Sequence, residues 1–91
     1  MSKIVVERQH SLGRAGARDK AQQLAERLAQ QYDVSYRWSG DTLEFSRTGA
    51  QGTIEVDDSN VRVNLKLGLL LSALGGTIKR EIEDALDKQL S

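Results

Sequence analysis

Apolar and polar positions along this chain change period several times, and each change marks an element. In residues 3–9, KIVVERQ, Ile4 and Val6 fall on one side and Val5 on the other, the pattern of a strand. His10-Ser11-Leu12-Gly13 is a connection, and Ser11 or Gly13 is placed to open the next helix. Residues 14–32 carry a helical period. Ala17, Ala21, Leu24, Ala25, Leu28 and Tyr32 recur at three- and four-residue spacing, with Arg, Lys, Gln and Glu on the other side. The stripe is mostly alanine at its start, so this half of the helix can lie close to a sheet.

From residue 34 the period drops to two. Val34, Tyr36 and Trp38 alternate with Ser35, Arg37 and Ser39. Gly40-Asp41 is a hairpin signal, and Leu43 and Phe45 continue the apolar face beyond it. The segment from Gly49 to Gly52 predicts a second turn, followed by a short strand at Ile54 and Val56. Asp57-Asp58-Ser59-Asn60 predicts a third turn. Val61, Val63, Leu65 and Leu67 then alternate with Arg62, Asn64 and Lys66. Leu69-Leu70-Leu71 enters a helical region that Gly75-Gly76 is expected to break, with Thr77 capping a final helix of Ile78, Ile82, Ala85, Leu86 and Leu90.

The resulting order is β-α-β-β-β-β-α, an α+β fold. Tight turns make the last four strands an antiparallel meander, and two one-sided helices cover one face of the sheet. The helical crossover makes the first two strands parallel, so the last strand runs antiparallel to the first. Pairing those two gives the spatial order 1-5-4-3-2, a mostly antiparallel, helix-grip-like sheet of five strands with both helices on one face.

Composition narrows the function. Ninety-one residues suit a single domain spanning 1–91, and a second copy would be an economical source of extra buried surface, so a homodimer is one expectation. Thirteen basic side chains balance thirteen acidic ones, which speaks against a nucleic-acid partner. The first 31 residues carry a local basic excess (Lys3, Arg8, Arg14, Arg18, Lys20 and Arg27 against Glu7, Asp19 and Glu26), expected to be a solvated helix face. Cysteine is absent, which excludes disulfides and thiolate chemistry. With no leader-like segment and no apolar run near the length of a membrane span, the expected location is cytoplasmic.

The chemistry-bearing residues are few. His10 is the single histidine, with no visible nucleophile or orienting carboxylate, and is expected to bond backbone at a strand end. Asp57-Asp58-Ser59-Asn60 lacks the glycine and terminal glutamate of a calcium loop. Gly13-x-x-Gly16 lacks the lysine of a phosphate loop. No catalytic residue, metal or cofactor is expected, and the chain is read as a non-enzyme. Tyr36, Trp38 and Phe45 alternate onto the apolar face, away from any base-stacking surface. The richest feature is the cluster Leu65, Leu67, Leu69, Leu70, Leu71 and Leu74. It reads first as core, and second as an exposed apolar lip formed by Leu69, Leu70, Leu71 and Leu74.

Four ordered pieces carry a family resemblance: Arg8-x-His10-x-Leu12-Gly13 with Ala17-Arg18; Trp38-x-Gly40-Asp41-x-Leu43-x-Phe45-x-Arg47; Gly49-x-x-Gly52-x-Ile54-x-Val56; and Leu67-Gly68-x-Leu70-Leu71. In that order and spacing the chain resembles the polyhydroxyalkanoic acid system (granule-region) proteins. The resemblance implies a cytoplasmic protein linked to polyester granules, partnered by the granule surface or a granule protein, without established catalytic residues. His10, Arg18, Asp41 and Arg47 fall in these pieces and stand as a candidate polar site. A second reading is a carrier of a small apolar ligand in the manner of START-like lipid-binding folds, with residues 67–74 lining the pocket.

Overall fold

The computed structural model describes residues 2–90. Five strands, β1 (Ser2–Gln9), β2 (Ser35–Ser39), β3 (Thr42–Arg47), β4 (Ala50–Val56) and β5 (Asn60–Leu67), form one sheet in the order β1-β5-β4-β3-β2. Every neighbouring pair is antiparallel, including β1 with β5, where Ile4 faces Leu65 and Val6 faces Val63. The helix α1 (Gly13–Tyr32) carries the chain from one edge of the sheet to the other. A single turn, α2 (Leu69–Ser72), and a longer helix, α3 (Gly75–Leu90), follow β5.

The period-two segments bury one side each. Leu43, Phe45, Ile54, Val56, Val61, Val63, Leu65 and Leu67 point toward the helices together with Ile4 and Val6 of β1. Ala17, Ala21, Leu24, Ala25 and Leu28 of α1 and Ile78, Ile82, Ala85 and Leu86 of α3 close the layer from above. Trp38 and Tyr36 are half-buried at its margin. The opposite face of the sheet is uncovered and holds an open trough of about 600 Å³ lined by Lys3, Arg37, Glu44, Gln51, Asn64 and Lys66, among others.

The turns follow their chemistry, with two corrections to the sequence reading. Gly40 has φ 62°, the positive angle that the first central position of a type II′ hairpin needs. The expected turn from Gly49 to Gly52 is shorter than anticipated. Arg47 pairs with Ala50, so only Thr48 and Gly49 (φ 85°) lie between the strands, and Gly52 belongs to β4 opposite Phe45. Gly75-Gly76 likewise does not interrupt a helix but begins one. The Ile78 N–H bonds the Leu74 carbonyl at 2.9 Å, so the first helical bond starts from Leu74 and Thr77 lies inside the first turn, not at the cap. Glycine costs a helix through its backbone freedom, a penalty that applies to the helix interior more than to its first turn.

Two features hold the ends of α1. Gly16 sits where an added Cβ would come within 2.9 Å of Leu12 Cβ, so Gly13-x-x-Gly16 is a close strand-to-helix joint. At the other end Asp33 takes the left-handed conformation and its N–H bonds Ala29 O at 3.0 Å.

Candidate functional site

The two ends of the sheet differ in character. One end gathers the β1–α1 connection, the β2–β3 turn and the β4–β5 turn, and it is polar. Arg18 Nη1 bonds Asp41 Oδ1 at 2.9 Å, and its guanidinium lies 4.2 Å from the centre of the Trp38 ring. Arg14 reaches Asp41 at 3.2 Å and Asp58 at 3.6 Å, bridging the two turns. His10 uses both ring nitrogens. Nδ1 accepts the Leu12 N–H at 3.1 Å, which makes Nε2 the protonated nitrogen that donates to the Asp57 carbonyl at 3.1 Å. Asp57 in turn accepts the N–H groups of Ser59 and Asn60, and these bonds hold its carboxyl below the ordinary range.

Three of the four expected polar-site residues, His10, Arg18 and Asp41, therefore share this end. Arg47 does not join them, because it stands at the far end of β3 from the Gly40-Asp41 turn. There it donates to the Tyr32 carbonyl at 2.8 Å and closes the last turn of α1. Arg14, expected on a solvated helix face, is the residue that links the turns. Arg18 is also held from α1 against β2, as is Gln22, whose Oε1 accepts the Trp38 Nε1–H at 2.9 Å. Within the basic N-terminal third, Arg14 and Arg18 are thus ion-paired rather than simply solvated. Arg8 extends the pattern by bonding Asp87 on α3 at 2.8 Å, with Glu83 at 3.5 Å, and the Asp87 bond raises its pKa. These arrangements satisfy polar groups and orient turns. Among the described residues no three His, Cys, Asp or Glu side chains group as metal ligands.

The opposite end, besides Arg47, carries exposed apolar side chains. The Gly68 N–H bonds Gly49 O at 2.7 Å, fastening the end of β5 to the β3–β4 turn. From that fixed point α2 makes one turn, with Ser72 N–H and Oγ–H both donating to Gly68 O at 3.0 and 2.9 Å. Leu71 turns inward against the core and lies close to Gly49, where an added Cβ would meet its Cδ1 at 3.5 Å. Its neighbours turn outward: Leu69 is 82% exposed, Leu70 90% and Leu74 46%. The cluster therefore divides. Leu65 and Leu67 are core, Leu71 is the anchor, and Leu69, Leu70 and Leu74 form an exposed apolar lip.

Between sheet and helices beside this lip lies an apolar notch lined by Leu28, Tyr32, Phe45, Leu67, Leu71 and Ile78, among others. Its volume is about 30 Å³, room for no more than a few water molecules. An acyl chain needs several times that space, so the notch gives the carrier reading no support.

Sheet, helices and lip define the class: an α+β protein with an open antiparallel sheet covered on one face and an apolar turn at one end. Residues 4–90 match the family described as "Putative polyhydroxyalkanoic acid system protein", and the chain belongs to that family. No curated protein and no solved structure matches it. No helix among the described residues is long and apolar enough to cross a membrane.

Proposed function

We propose that this chain is a non-catalytic, cytoplasmic protein of the polyhydroxyalkanoate system that seats on the granule through the lip formed by Leu69, Leu70 and Leu74. The observation that carries the reading is the near-complete exposure of Leu69 and Leu70 on a turn whose own anchor, Leu71, is tied into the core. Burying one leucine against an apolar surface stabilises contact by about 1.5–3 kcal/mol. Two or three on one copy give weak, reversible binding that repetition strengthens.

The test is co-sedimentation of the purified chain with native granules and with protein-free polyester particles. Binding to bare particles that Leu69→Ser/Leu70→Ser abolishes, with the melting curve unchanged, supports direct seating on the polymer. Binding to native granules alone, lost in the same variant, assigns the lip to a granule protein instead. A variant that sediments as well as the parent chain rejects the lip as the contact.

A further inference from the structure

Of the two strands at the margins of the sheet, β1 is the longer, eight residues against five in β2. It has no proline, and its pairing with β5 is unbroken from Ser2 to Gln9. A long, uninterrupted edge of this kind is a template for another strand.

The direction of its free hydrogen-bonding groups is set by β5. His10 extends the strand and gives its N–H to Ser59 O at 2.9 Å. Backbone groups alternate sides along a strand, so the even residues of β1 face β5, while Lys3, Val5 and Glu7 turn their N–H and C=O to the open edge. The Glu7 carbonyl accepts one bond from Arg8 Nη1 at 3.0 Å, and its second lone pair remains available.

The side chains of the same three residues lie on the uncovered face. Val5 is 43% exposed on a face that is otherwise polar. Lys3 and Glu7 stand two positions to either side of it. If a second β1 is laid antiparallel with Val5 opposite Val5, Lys3 of each copy meets Glu7 of the other, and these three residues fall in directly hydrogen-bonded pairs. Centring the pairing on Lys3 or on Glu7 sets like charges together. A lysine on an edge strand ordinarily keeps other strands away. Here Glu7 converts it into a selector, attractive in one register and repulsive in these others. The other edge lacks the device: pairing β2 about its midpoint brings Arg37 against its own copy.

We infer that β1 is a self-recognition edge, through which two copies join their five-stranded sheets into one continuous sheet, antiparallel about Val5. The inference is independent of granule seating. Because the axis relating the copies runs perpendicular to the sheet, both helical layers lie on one side, and the two apolar lips sit at opposite ends of the assembly.

Sedimentation velocity and native mass spectrometry of the full chain over a concentration series test this. Wild type is expected to shift from monomer to dimer as concentration rises into the high micromolar range. Lys3→Glu and Glu7→Lys are each expected to be monomeric, because each sets two like pairs across the interface. An equimolar mixture of the two variants is expected to form heterodimers, since every repulsive pair then becomes attractive. Val5→Pro removes an N–H that faces the open edge, so it is expected to give a folded monomer. Wild type that stays monomeric throughout overturns the proposal, as does a dimer indifferent to both charge reversals. Should Glu7→Lys fail to fold opposite Arg62, the wild-type series and Val5→Pro decide the matter together.

Discussion

Phe45 faces Gly52 across β3 and β4, and its ring fills the space that a side chain at Gly52 would need: an added Cβ would lie 2.7 Å from Phe45 Cζ. The Asn64 carbonyl and Leu65 Cα of β5 crowd the same point from the other side. Gly52→Ala is expected to destabilise by about 2 kcal/mol or more, since a ring can rotate away but a sheet backbone cannot. Phe45→Leu in the same background is expected to recover only the ring's share. Chemical denaturation of the two single variants and the double variant, read as a cycle, checks this; full recovery would place the strain entirely on the ring.

Arg18 joins α1 to the β2–β3 hairpin through its contacts with Gly40 O, Asp41 and the Trp38 ring. Nη1 alone donates to both oxygens, which an ammonium could also do, but a lysine has no planar group to stack on the indole. Arg18→Lys is expected to cost about 1 kcal/mol and to shift the emission of Trp38, the single tryptophan. Asp41→Asn is expected to cost less, about 0.5 kcal/mol, and to blunt the salt dependence of the melt, because the ion pair is partly exposed. Fluorescence-detected melting at low and high salt separates the two effects.

Tyr32 Oη donates to Glu81 Oε2 at 2.5 Å, pinning the end of α1 to α3. Burial first, and then that bond, pushes the phenol up to about 12 from an ordinary value of about 10. The folded state holds this proton more tightly than the unfolded state does. Its stabilising contribution is therefore complete below about pH 10 and is lost as pH rises through about 12. Tyr32→Phe is expected to start less stable and to show a shallower alkaline decline. Melting temperatures across this range for both proteins test the assignment; parallel curves would defeat it.

Leu70 and Leu71 are neighbours with opposite expected behaviour. Leu70→Ser should change stability by less than about 0.5 kcal/mol, as a surface change does, whereas Leu71→Ser should cost about 1–3 kcal/mol by uncovering the anchor of α2. Urea titration of the two single variants distinguishes them. Equal costs would mean that the turn does not hold Leu71 inward and Leu70 outward.

The strands and their order were readable because turn chemistry and period two are local. Three antiparallel steps after a helical crossover leave β1 few places to pair except beside β5. The alanine-rich stripe of α1 was readable for the same reason. Gly52 was misplaced because two glycines three apart resemble one turn, and nothing in the string says that Phe45 will need the room. The inward and outward leucines of residues 69–74 could not be separated, since a run of identical apolar residues carries no polar contrast from which to assign faces. Tyr32 with Glu81 and Arg8 with Asp87 meet only after the helices dock, so their pairing has no signature along the chain. His10, Arg18, Asp41 and Arg47 share the family's motifs but divide between two ends of β3.

The pairing of β1 with β5 also orders events in time. The meander closes through loops of a few residues, while Val6 must find Val63, and Arg8 must find α3 beyond it. During synthesis β1 is made before α1 and β2–β4, while both of its holding partners, β5 and α3, come after them. The strand therefore waits unpaired until β5 and α3 have been made, and the sheet is completed only then. Any slowing of elongation after β4 prolongs the interval in which Ile4 and Val6 stand in water, without changing a single contact of the finished fold.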